Sequence, residues 1–517
     1  MGFTKNHVGI QAIFCVLLMA CLFCVNACAP KVQLNSEYQT EDSISPQMKT
    51  LIDECRSSIP KMMKKHNIPG LSIALLDNKC TLWAAGFGYT GRGGKAKVTH
   101  DTIFSIQSMS KTFTATAVMF ALQDGLVELD TPITEYLPDF KVNSRFEENP
   151  QKKITLIHLL SHTAGFTHEA PVGNNYDTTF PSFEKHVESI SDTWLKFRVG
   201  ERYSYSNLGI DLAGYILKVR SGKPFEQYMK EKIFDPLEMP RSTIDKDVIR
   251  DAKNRAIGHQ QRVKNVPVDI PMVAAGGVYT SAVELAKFVQ FHLNKGRVDG
   301  KSILDEKLLE EMYTVRSPSR GYGLGIGVGR RHDSYFLAHG GGGFGFLTNM
   351  IWYPEYGIGA VVLTNTTEHP LQGKISNGIL DRMIEKGIVK RHIGTKATFN
   401  PFPFDATMAT KDGAESQNWT ENEPSPYKRE WKKYIGIYEC LINGYEPKLY
   451  AKIAIALGNP AYVVKIYKKD GNLYLHYEKN DEILDEHLPG LFFTPSGEAL
   501  DLRGAVPTWR NIKLKKI

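Results

Sequence analysis

A serine and a lysine three residues apart carry the first chemical signal in this 517-residue sequence. Ser108 and Lys111 open an apolar stretch, residues 112–122, that ends before Gly125. Because positions i and i+3 share one face of a helix, the lysine amine can reach the serine hydroxyl. An amine that takes the hydroxyl proton turns a poor nucleophile into a usable one, and a helix N-terminus favours the negative charge that develops. The pair therefore predicts acyl transfer through a serine.

The spacing alone is weak evidence, because a serine precedes a lysine by three residues in at least three more places: Ser58 and Lys61, Ser182 and Lys185, Ser425 and Lys428. Pro60 lies inside the first pair and a Pro-rich stretch surrounds the third, so neither is expected to form an uninterrupted helical turn. The second pair begins a polar stretch that is typical of a solvated helix start. Ser108 alone is followed by residues apolar enough for a buried helix.

Two further motifs follow along the chain. The tripeptide Tyr205-Ser206-Asn207 offers a phenol that can shuttle protons and an amide that can both donate and accept hydrogen bonds. His339 begins a run of four glycines, residues 340–343. Glycines at a strand edge let a substrate backbone lie close and leave main-chain N–H groups free to hold an oxyanion. A second His-x-Gly, at His392, opens a polar linker and is given no role.

The chain resembles the penicillin-recognising serine hydrolases, and within them the branch of class C β-lactamases, D-amino-acid peptidases and related esterases. The resemblance runs from about residue 45 to residue 390, and its motifs are specific as a set. The segments that carry it are Phe104–Lys111, Leu159–Phe166, Tyr203–Asn207, Gly276–Ser281 and the glycine run that follows His339.

This resemblance implies a fold and a mechanism. The fold would be α+β, an α/β sandwich of the β-lactamase/transpeptidase type with an antiparallel sheet and a helical lobe. The mechanism would pass through an acyl-enzyme on Ser108. Lys111 and Tyr205 would share the general acid and base work, and Asn207 would position Lys111 and the substrate amide. No cofactor and no metal ion are expected.

The sequence departs from the family pattern in the glycine segment. By resemblance, the backbone N–H groups of Ser108 and Gly342 would form the oxyanion hole, and Gly340 and Gly341 would bind substrate. However, His339 stands where β-lactamases of this group carry a lysine, and an imidazole is mostly neutral near pH 7. Hydrolysis of a peptide, amide or ester is therefore ranked above β-lactamase activity. Spacing leaves open whether His339 is a catalytic acid or base or only bonds locally.

The first 28 residues are expected to be an export signal. From Val8 to Ala27 the chain has no charged residue, over a length that secretory segments and membrane-spanning helices share. The residues before Cys28 fit the lipoprotein pattern of a small residue ahead of an acceptor cysteine. We therefore expect lipidation of Cys28 and an exported, membrane-anchored bacterial lipoprotein on the periplasmic or cell-surface side. Lipidation of Cys21 and an uncleaved N-terminal anchor are the alternatives.

Charge and cysteine content argue against other classes. The net charge of +7 is small, and outside the terminal stretch Lys513–Lys516 the basic residues are interspersed with acids. No nucleic-acid surface is indicated, and that tail could at most touch anionic headgroups. Four of the seven cysteines lie in the export signal, which leaves Cys55, Cys80 and Cys440. Neither a disulfide framework nor a zinc site is indicated, so unpaired and mostly buried thiols are expected.

We expect a tether at residues 29–44, a serine hydrolase domain at 45–390, a linker at 391–427 and a C-terminal domain at 428–517. A helix near 46–65, two early strands, the late strands up to Leu363 and a helix at 375–388 predict a sheet covered by helices. In the C-terminal domain, alternating apolar residues and an Asp470-Gly471 turn predict a small antiparallel β-barrel. It resembles lipocalin-like domains appended to some of these hydrolases.

Three histidines close together, His158, His162 and His168, lack metal-site spacing and are assigned to loop packing. The favoured function is an active serine hydrolase that takes a small-molecule or peptide substrate, because its motifs are complete and in order. The alternatives are a class C-type β-lactamase or penicillin-binding protein, and a catalytically weak binding or sensor protein that uses the same pocket. The sequence leaves the oligomeric state and the role of the C-terminal domain open.

Overall fold

The computed structural model describes residues 34–39, 44–92, 96–173, 181–259, 272–317, 319–367, 369–392, 399–403, 428–441, 463–477 and 480–516. Several expected features lie wholly or partly outside these residues: the export signal with Cys21 and Cys28, most of the tether, most of the linker, and the pair Ser425 and Lys428. Among the described residues, no helix is both long enough and apolar enough to cross a membrane.

The strands, numbered in chain order, are β1 (Leu34–Gln39), β2 (Gly70–Asp77), β3 (Thr81–Gly88), β4 (Phe104–Ser105), β5 (Tyr279–Thr280), β6 (Arg297–Val298), β7 (Lys301–Ser302), β8 (Gly327–Arg331), β9 (Ser334–Gly343), β10 (Phe346–Tyr353), β11 (Ile358–Thr364), β12 (Gly436–Cys440), β13 (Val463–Lys469), β14 (Asn472–Tyr477), β15 (Asn480–Leu488), β16 (Leu491–Phe493), β17 (Ala499–Asp501), β18 (Thr508–Trp509) and β19 (Ile512–Lys516).

The α-helices are α1 (Pro46–Lys65), α2 (Ser110–Gln123), α3 (Leu156–Leu160), α4 (Phe183–Ile190), α5 (Asn207–Ser221), α6 (Phe225–Met229), α7 (Lys246–Asp251), α8 (Val273–Gly276), α9 (Ala282–Leu293), α10 (Glu306–Tyr313) and α11 (Leu371–Glu385). Short 3₁₀ turns cover Gln107–Met109, Ile133–Glu135, Pro150–Lys152 and Lys428–Lys433, and a π-helical turn covers Lys230–Phe234.

Seven of the described strands form one antiparallel sheet in the order β1-β3-β2-β11-β10-β9-β8. Successive residues of a strand point to opposite faces, and here both faces are covered. In β2, Ile73 and Leu75 pack with α1 and α11 on one side, while Ala74 and Leu76 pack into the core shared with α9 on the other. The sheet with its two helical layers is the expected α/β sandwich, and the fold class is confirmed.

The helix expected after Ser108 is α2, and its residues from Ser110 to Ala121 are all buried. It ends at Gln123 and is capped by Asp124, and Gly125 follows in a left-handed conformation with φ of 70°. Ser108 itself lies in the 3₁₀ turn that leads into α2. The serine is therefore held at the entrance of a helix that runs through the core of the helical lobe.

Strands β12 to β19, among the described residues, close into an antiparallel barrel. Its interior is filled by apolar side chains that include Leu475, Phe492 and Trp509. The predicted Asp470-Gly471 turn joins β13 to β14, with both residues at positive φ. This arrangement confirms the expected C-terminal β-barrel.

The structure corrects two sequence expectations. Residues Ser58 and Lys61 lie in one continuous helix, α1, which passes through Pro60. A proline inside a helix removes one N–H donor, but tertiary packing of the apolar face of α1 sustains the helix. Residues 34–39 of the expected tether form an edge strand that pairs with β3.

Of the described cysteines, Cys55 and Cys440 are buried and form no disulfide, and Cys80 is half-buried. Burial raises the pKa of the Cys55 thiol to about 11 and that of Cys440 to about 12. Both thiols are therefore protonated and chemically quiet at neutral pH.

Candidate active site

Ser108 and Lys111 meet as the spacing predicts. The Nζ atom of Lys111 lies 3.1 Å from the Oγ atom of Ser108. Ser108 is partly exposed, whereas the Lys111 side chain is fully buried. The neighbour Gln107 takes a left-handed conformation with φ of 51°. A non-glycine residue rarely adopts that conformation, and such strain is typical of turns that present a nucleophile.

The Lys111 amine makes two more hydrogen bonds. It donates to Oδ1 of Asn207 and to the backbone carbonyl of Ala275, each at 2.8 Å. Burial lowers the pKa of Lys111 to about 7, and the nearby carboxylates of Asp211 and Glu169 counteract this only in part. A lysine with this pKa is substantially neutral at physiological pH, so it can accept the proton of the Ser108 hydroxyl.

Tyr205 lies on the other side of the same serine. Its phenol interacts with the Ser108 side chain, and the Lys111 amine lies 4.9 Å from the centre of its ring. Burial raises the pKa of Tyr205 well above its usual range; the interaction with Ser108 works against this and the Glu169 charge adds to it. The phenol therefore keeps its proton at neutral pH and can pass one on while it receives another.

Asn207 begins α5, directly after Tyr205 and Ser206. Its Nδ2 donates to Oε1 of Glu169 at 3.0 Å, so its Oδ1 must face Lys111. Glu169 is thus a part of the site that the sequence reasoning missed. Its position one residue after His168 in an irregular loop gave no periodic signal, and only its contact with Asn207 reveals it.

His339 is nearly buried, and both of its ring nitrogens are occupied. Nδ1 lies 2.7 Å from the carbonyl oxygen of Gly340, which can only accept, so Nδ1 carries the proton. Nε2 therefore accepts a hydrogen bond from the hydroxyl of Tyr322 at 2.9 Å. Burial and the Lys111 charge lower the pKa of His339 to about 4, which leaves the imidazole neutral. The structure places His339 as the partner of Tyr322, a residue that sequence reasoning also missed.

The glycine run lies in β9, beside the Ser108 turn. The register of β8 with β9 ends at Gly327 and Ala338, so residues 339–343 extend beyond β8. A Cβ atom on Gly341 would lie 2.0 Å from the carbonyl oxygen of Ile106, whereas Gly340 has no such neighbour closer than 3.7 Å. Gly341 is therefore required by packing against the Ser108 turn. Substrate binding by Gly340 and an oxyanion role for Gly342 remain predictions.

An aromatic wall surrounds these groups, and His162 belongs to it. Its ring lies 4.5 Å from that of Tyr205 and 5.0 Å from that of Tyr322, between ring centres. Nδ1 of His162 accepts from the backbone N–H of Ser206 at 3.2 Å, and its buried Nε2 has no hydrogen-bond partner among the described residues. Loop packing beside the catalytic lobe was the expectation for His162, and its ring packs there against the candidate general acid Tyr205. Among the described residues, no group of three or more His, Cys, Asp or Glu side chains could hold a metal ion.

Comparisons with known proteins show which family the chain belongs to. Residues 56–378, more than half of the chain, match the family model described as Beta-lactamase, so the chain belongs to that family. It is 25% identical over 330 residues to the D-alanyl-D-alanine-carboxypeptidase/endopeptidase AmpH of Escherichia coli strain K12, which covers 61% of this chain and 84% of AmpH. It is also 25% identical over 308 residues to Protein flp of Staphylococcus aureus strain MW2, covering 59% of this chain and 61% of that protein.

Two solved structures share the fold over most of the chain. The octameric penicillin-binding protein homologue from Pyrococcus abyssi aligns with a TM-score of 0.57 at 23% identity, over 89% of this chain and 95% of that one. The crystal structure of SurE with D-Leu aligns with a TM-score of 0.56 at 20% identity, over 91% of this chain and 100% of that one. These two likenesses support the fold alone.

Proposed function

We propose that this protein is an exported serine hydrolase that cleaves a peptide, amide or ester bond through an acyl-enzyme on Ser108. The observation that carries the proposal is the contact between the Ser108 hydroxyl and a buried lysine amine, 3.1 Å apart, with the pKa of Lys111 lowered to about 7. A serine hydroxyl is an activated nucleophile when it contacts a buried amine that is neutral at the working pH.

In the acylation step, neutral Lys111 takes the Ser108 proton while Oγ attacks the substrate carbonyl carbon. The negative charge that develops on the carbonyl oxygen would be held by the N–H groups of Ser108 and Gly342. Tyr205 then gives its proton to the leaving group as the C–N or C–O bond breaks, and Lys111 returns a proton to Tyr205. The net transfer moves one proton from the serine to the leaving group.

Deacylation repeats the sequence with water in place of Ser108. Neutral Lys111 accepts, through the Tyr205 phenol, one proton from the water as the water attacks the ester carbon of the acyl-enzyme, and that proton returns to Oγ as the ester bond breaks. Asn207 keeps the amine in place throughout, because its Oδ1 accepts from Lys111 while its Nδ2 is held by Glu169.

The substrate class follows from the charge at the third motif. His339 is neutral and donates nothing to the cleft. Its one N–H donates to the Gly340 carbonyl, and the lone pair of Nε2 accepts from the Tyr322 hydroxyl. A fixed cation for a β-lactam carboxylate is therefore not supplied by this residue, which favours peptide, amide or ester substrates. The name of the relative AmpH, a D-alanyl-D-alanine-carboxypeptidase/endopeptidase, supports peptides that contain D-alanine as the first class to try.

A labelling and turnover experiment tests the proposal. Wild-type protein and the Ser108→Ala variant are treated with a fluorophosphonate and with a fluorescent penicillin, and intact masses are measured. A panel of nitrocefin, short-chain esters and D- and L-aminoacyl amides then reports turnover. Stoichiometric labelling of the wild type and none of the variant is expected, with peptide, amide or ester turnover above nitrocefin. Equal labelling of both proteins would remove Ser108 as the nucleophile, and labelling without turnover would favour the binding or sensor alternative.

We further propose export and anchoring through a lipid on Cys28. The support is the uncharged stretch from Val8 to Ala27 and the small residue before the cysteine. Incorporation of radioactive palmitate in a bacterial host, compared between the Cys28→Ser and Cys21→Ser variants, measures it. Loss in the first and retention in the second is expected, and the reverse pattern would assign the lipid to Cys21.

A further inference from the structure

The C-terminal barrel contacts the loop that carries Glu169. Residues Arg510 and Asn511 form the two-residue turn between β18 and β19, with φ of 51° and 64°. Both lie in the left-handed region, as in hairpin turns whose twist matches the strands. The side-chain amide of Asn511 donates a hydrogen bond of 2.7 Å to the backbone carbonyl of Glu169. A turn of the barrel therefore contacts the site directly.

A second contact holds the same loop a few residues earlier. Glu498, buried one residue before β17, accepts hydrogen bonds from Oγ1 of Thr167 at 3.0 Å and from Nζ of Lys196 at 2.6 Å. The positive charges of Lys196 and Arg510 and these hydrogen bonds outweigh burial and lower the pKa of Glu498, so it stays ionised. The preceding Gly497 packs against the backbone of Lys196, where a Cβ atom would lie 2.2 Å from the carbonyl oxygen. The barrel therefore contacts the loop at Thr167 and at Glu169, and the neighbouring segment at Lys196.

From Glu169 the contacts lead to the nucleophile in three steps. Glu169 Oε1 accepts from Asn207 Nδ2 at 3.0 Å, Asn207 Oδ1 accepts from Lys111 at 2.8 Å, and Lys111 donates to Ser108 at 3.1 Å. An asparagine amide has a donor end and an acceptor end that are nearly equal in shape. The carboxylate of Glu169 decides which end faces Lys111, because a carboxylate can only accept.

We propose that Asn511 is a positioning residue of the hydrolase site: by fixing the backbone of Glu169 it sets the orientation of the Asn207 amide and thereby the Lys111–Ser108 contact. This inference rests on the proposed function, and it gives the barrel a part in the chemistry although the barrel supplies no reacting group. Asn511 acts through Glu169 and Asn207 and touches no reacting atom.

The variants Asn511→Gly and Asn511→Asp separate the side-chain amide from the turn. Glycine adopts positive φ without strain and removes the amide, and aspartate keeps the shape but replaces the donor with an acceptor. The matched control is Asp470→Gly, at the exposed turn between β13 and β14, which also has positive φ. All three changes preserve a two-residue hairpin turn, so they isolate the contact with Glu169.

The measurement is the rate at which a fluorophosphonate phosphonylates Ser108, with loss of fluoride, as a function of pH, together with the melting temperature of each full-length variant. Asn511→Gly should slow phosphonylation by about fivefold, the effect of one net hydrogen bond, and Asn511→Asp should slow it further. The acid-side midpoint should also move to lower pH, because a displaced Glu169 no longer holds the charged form of Lys111. Asp470→Gly should match the wild type in rate and midpoint.

A double-mutant cycle with Glu169→Gln completes the test. Adding Asn511→Gly to Glu169→Gln should cost little more than Glu169→Gln alone, since both act through the same contact. Fully additive losses, or an Asn511→Gly rate and midpoint equal to those of Asp470→Gly, would overturn the inference. Should Asn511→Gly fail to fold, the cycle is run with Asn511→Asp. A wild type that is not labelled at Ser108 would instead overturn the proposed function, so the two failures are distinguishable.

Discussion

The hydroxyl of Tyr322 donates a hydrogen bond of 2.9 Å to Nε2 of His339. The direction of this bond is set by the other ring nitrogen, whose proton is committed to the Gly340 carbonyl. Burial and the Lys111 charge hold the pKa of His339 at about 4, so the imidazole is neutral throughout the range in which Lys111 titrates. His339 therefore acts on the site through Tyr322 rather than through a charge.

The first prediction concerns this pair. His339→Gln retains a side-chain acceptor for Tyr322, so it should leave the acid-side midpoint of kcat/KM near pH 7. His339→Ala leaves the buried hydroxyl of Tyr322 without its acceptor, which costs about 1–3 kcal/mol, roughly a 5- to 150-fold loss if it falls on the transition state. Steady-state kinetics from pH 5 to pH 9 measure both. A midpoint displaced by a full unit in His339→Gln would show that His339 titrates in the reaction.

The second prediction concerns the pH dependence of acylation. Lys111 must be neutral to accept the Ser108 proton, and burial lowers its pKa to about 7. Below that pH the amine is protonated and the rate should fall, and above it the rate should level off. Lys111→Arg carries a charge that cannot be removed, so its rate should drop by about 10²–10⁴-fold and lose this dependence. The labelling rate is measured from pH 5 to pH 10. A midpoint near the ordinary pKa of lysine would contradict the assignment of neutral Lys111 as the base.

The third prediction separates two neighbouring tyrosines. Tyr205→Phe removes the phenol that interacts with Ser108 and should lower kcat by about 10²–10⁴-fold, the usual contribution of a general acid or base. Tyr203 is a suitable control, because it lies in the same aromatic wall, 5.7 Å from Tyr322 between ring centres. Tyr203→Phe should change kcat by less than tenfold. Pre-steady-state kinetics on a chromogenic ester would show which step is slowed, and equal effects of the two substitutions would refute the role of Tyr205.

The fourth prediction uses two adjacent glycines. Gly341→Ala places a Cβ atom 2.0 Å from the Ile106 carbonyl oxygen, so β9 must move away from the Ser108 turn. We expect a loss of about 1–3 kcal/mol in stability, as for overpacked sites, together with slower acylation. Gly340→Ala, with 3.7 Å of clearance, should be tolerated in stability. Urea unfolding measures the free energy of unfolding of both variants. Equal values would contradict the packing explanation.

The fifth prediction concerns a buried pair beneath the site. Nε2 of His186 lies 3.0 Å from Asp211, whose other oxygen accepts the backbone N–H groups of Ala274 and Ala275. Burial lowers the pKa of His186, but the bond and charge of Asp211 outweigh it and the pKa ends above the usual 6.5. The stabilisation is therefore complete below pH 6.5 and is lost as pH rises through the raised value.

In Asp211→Asn this pH dependence should disappear. The free energy of unfolding, measured in urea at pH 5.5 and pH 8.5, should differ more between wild type and variant at the lower pH. A difference that is the same at both values would mean that His186 is neutral in the folded protein.

Much of the fold could be predicted because its signals are local. The helix after Ser108 is marked by an unbroken apolar run and a stop at Gly125, and the barrel by alternating residues and the turn at Asp470. The pair Ser58 and Lys61 was misjudged, because Pro60 is tolerated where a helix is held by its packed face. The edge strand β1 was missed because its polar residues pair through the backbone and carry no apolar pattern.

The chemistry of the site was predictable only in part. Ser108, Lys111, Tyr205 and Asn207 meet as their motifs suggest, since each motif places two groups at a fixed local spacing. Glu169 gave no such signal, because its significance arises from contacts between segments distant in the chain. The same holds for Tyr322 and for Asn511, whose partners lie on other elements and leave no periodic trace in the sequence.

The bond between Asn511 and Glu169 joins residues 342 positions apart in the chain. At ordinary rates of translation, roughly 5–20 residues per second, the ribosome reaches Asn511 roughly 17–70 s after Glu169. Ser108, Lys111 and Tyr205 are all synthesised long before the turn that holds Glu169 in place. A nascent chain can thus form most of the sandwich early and yet acquire a finished catalytic centre only after the last turn of the barrel has been made.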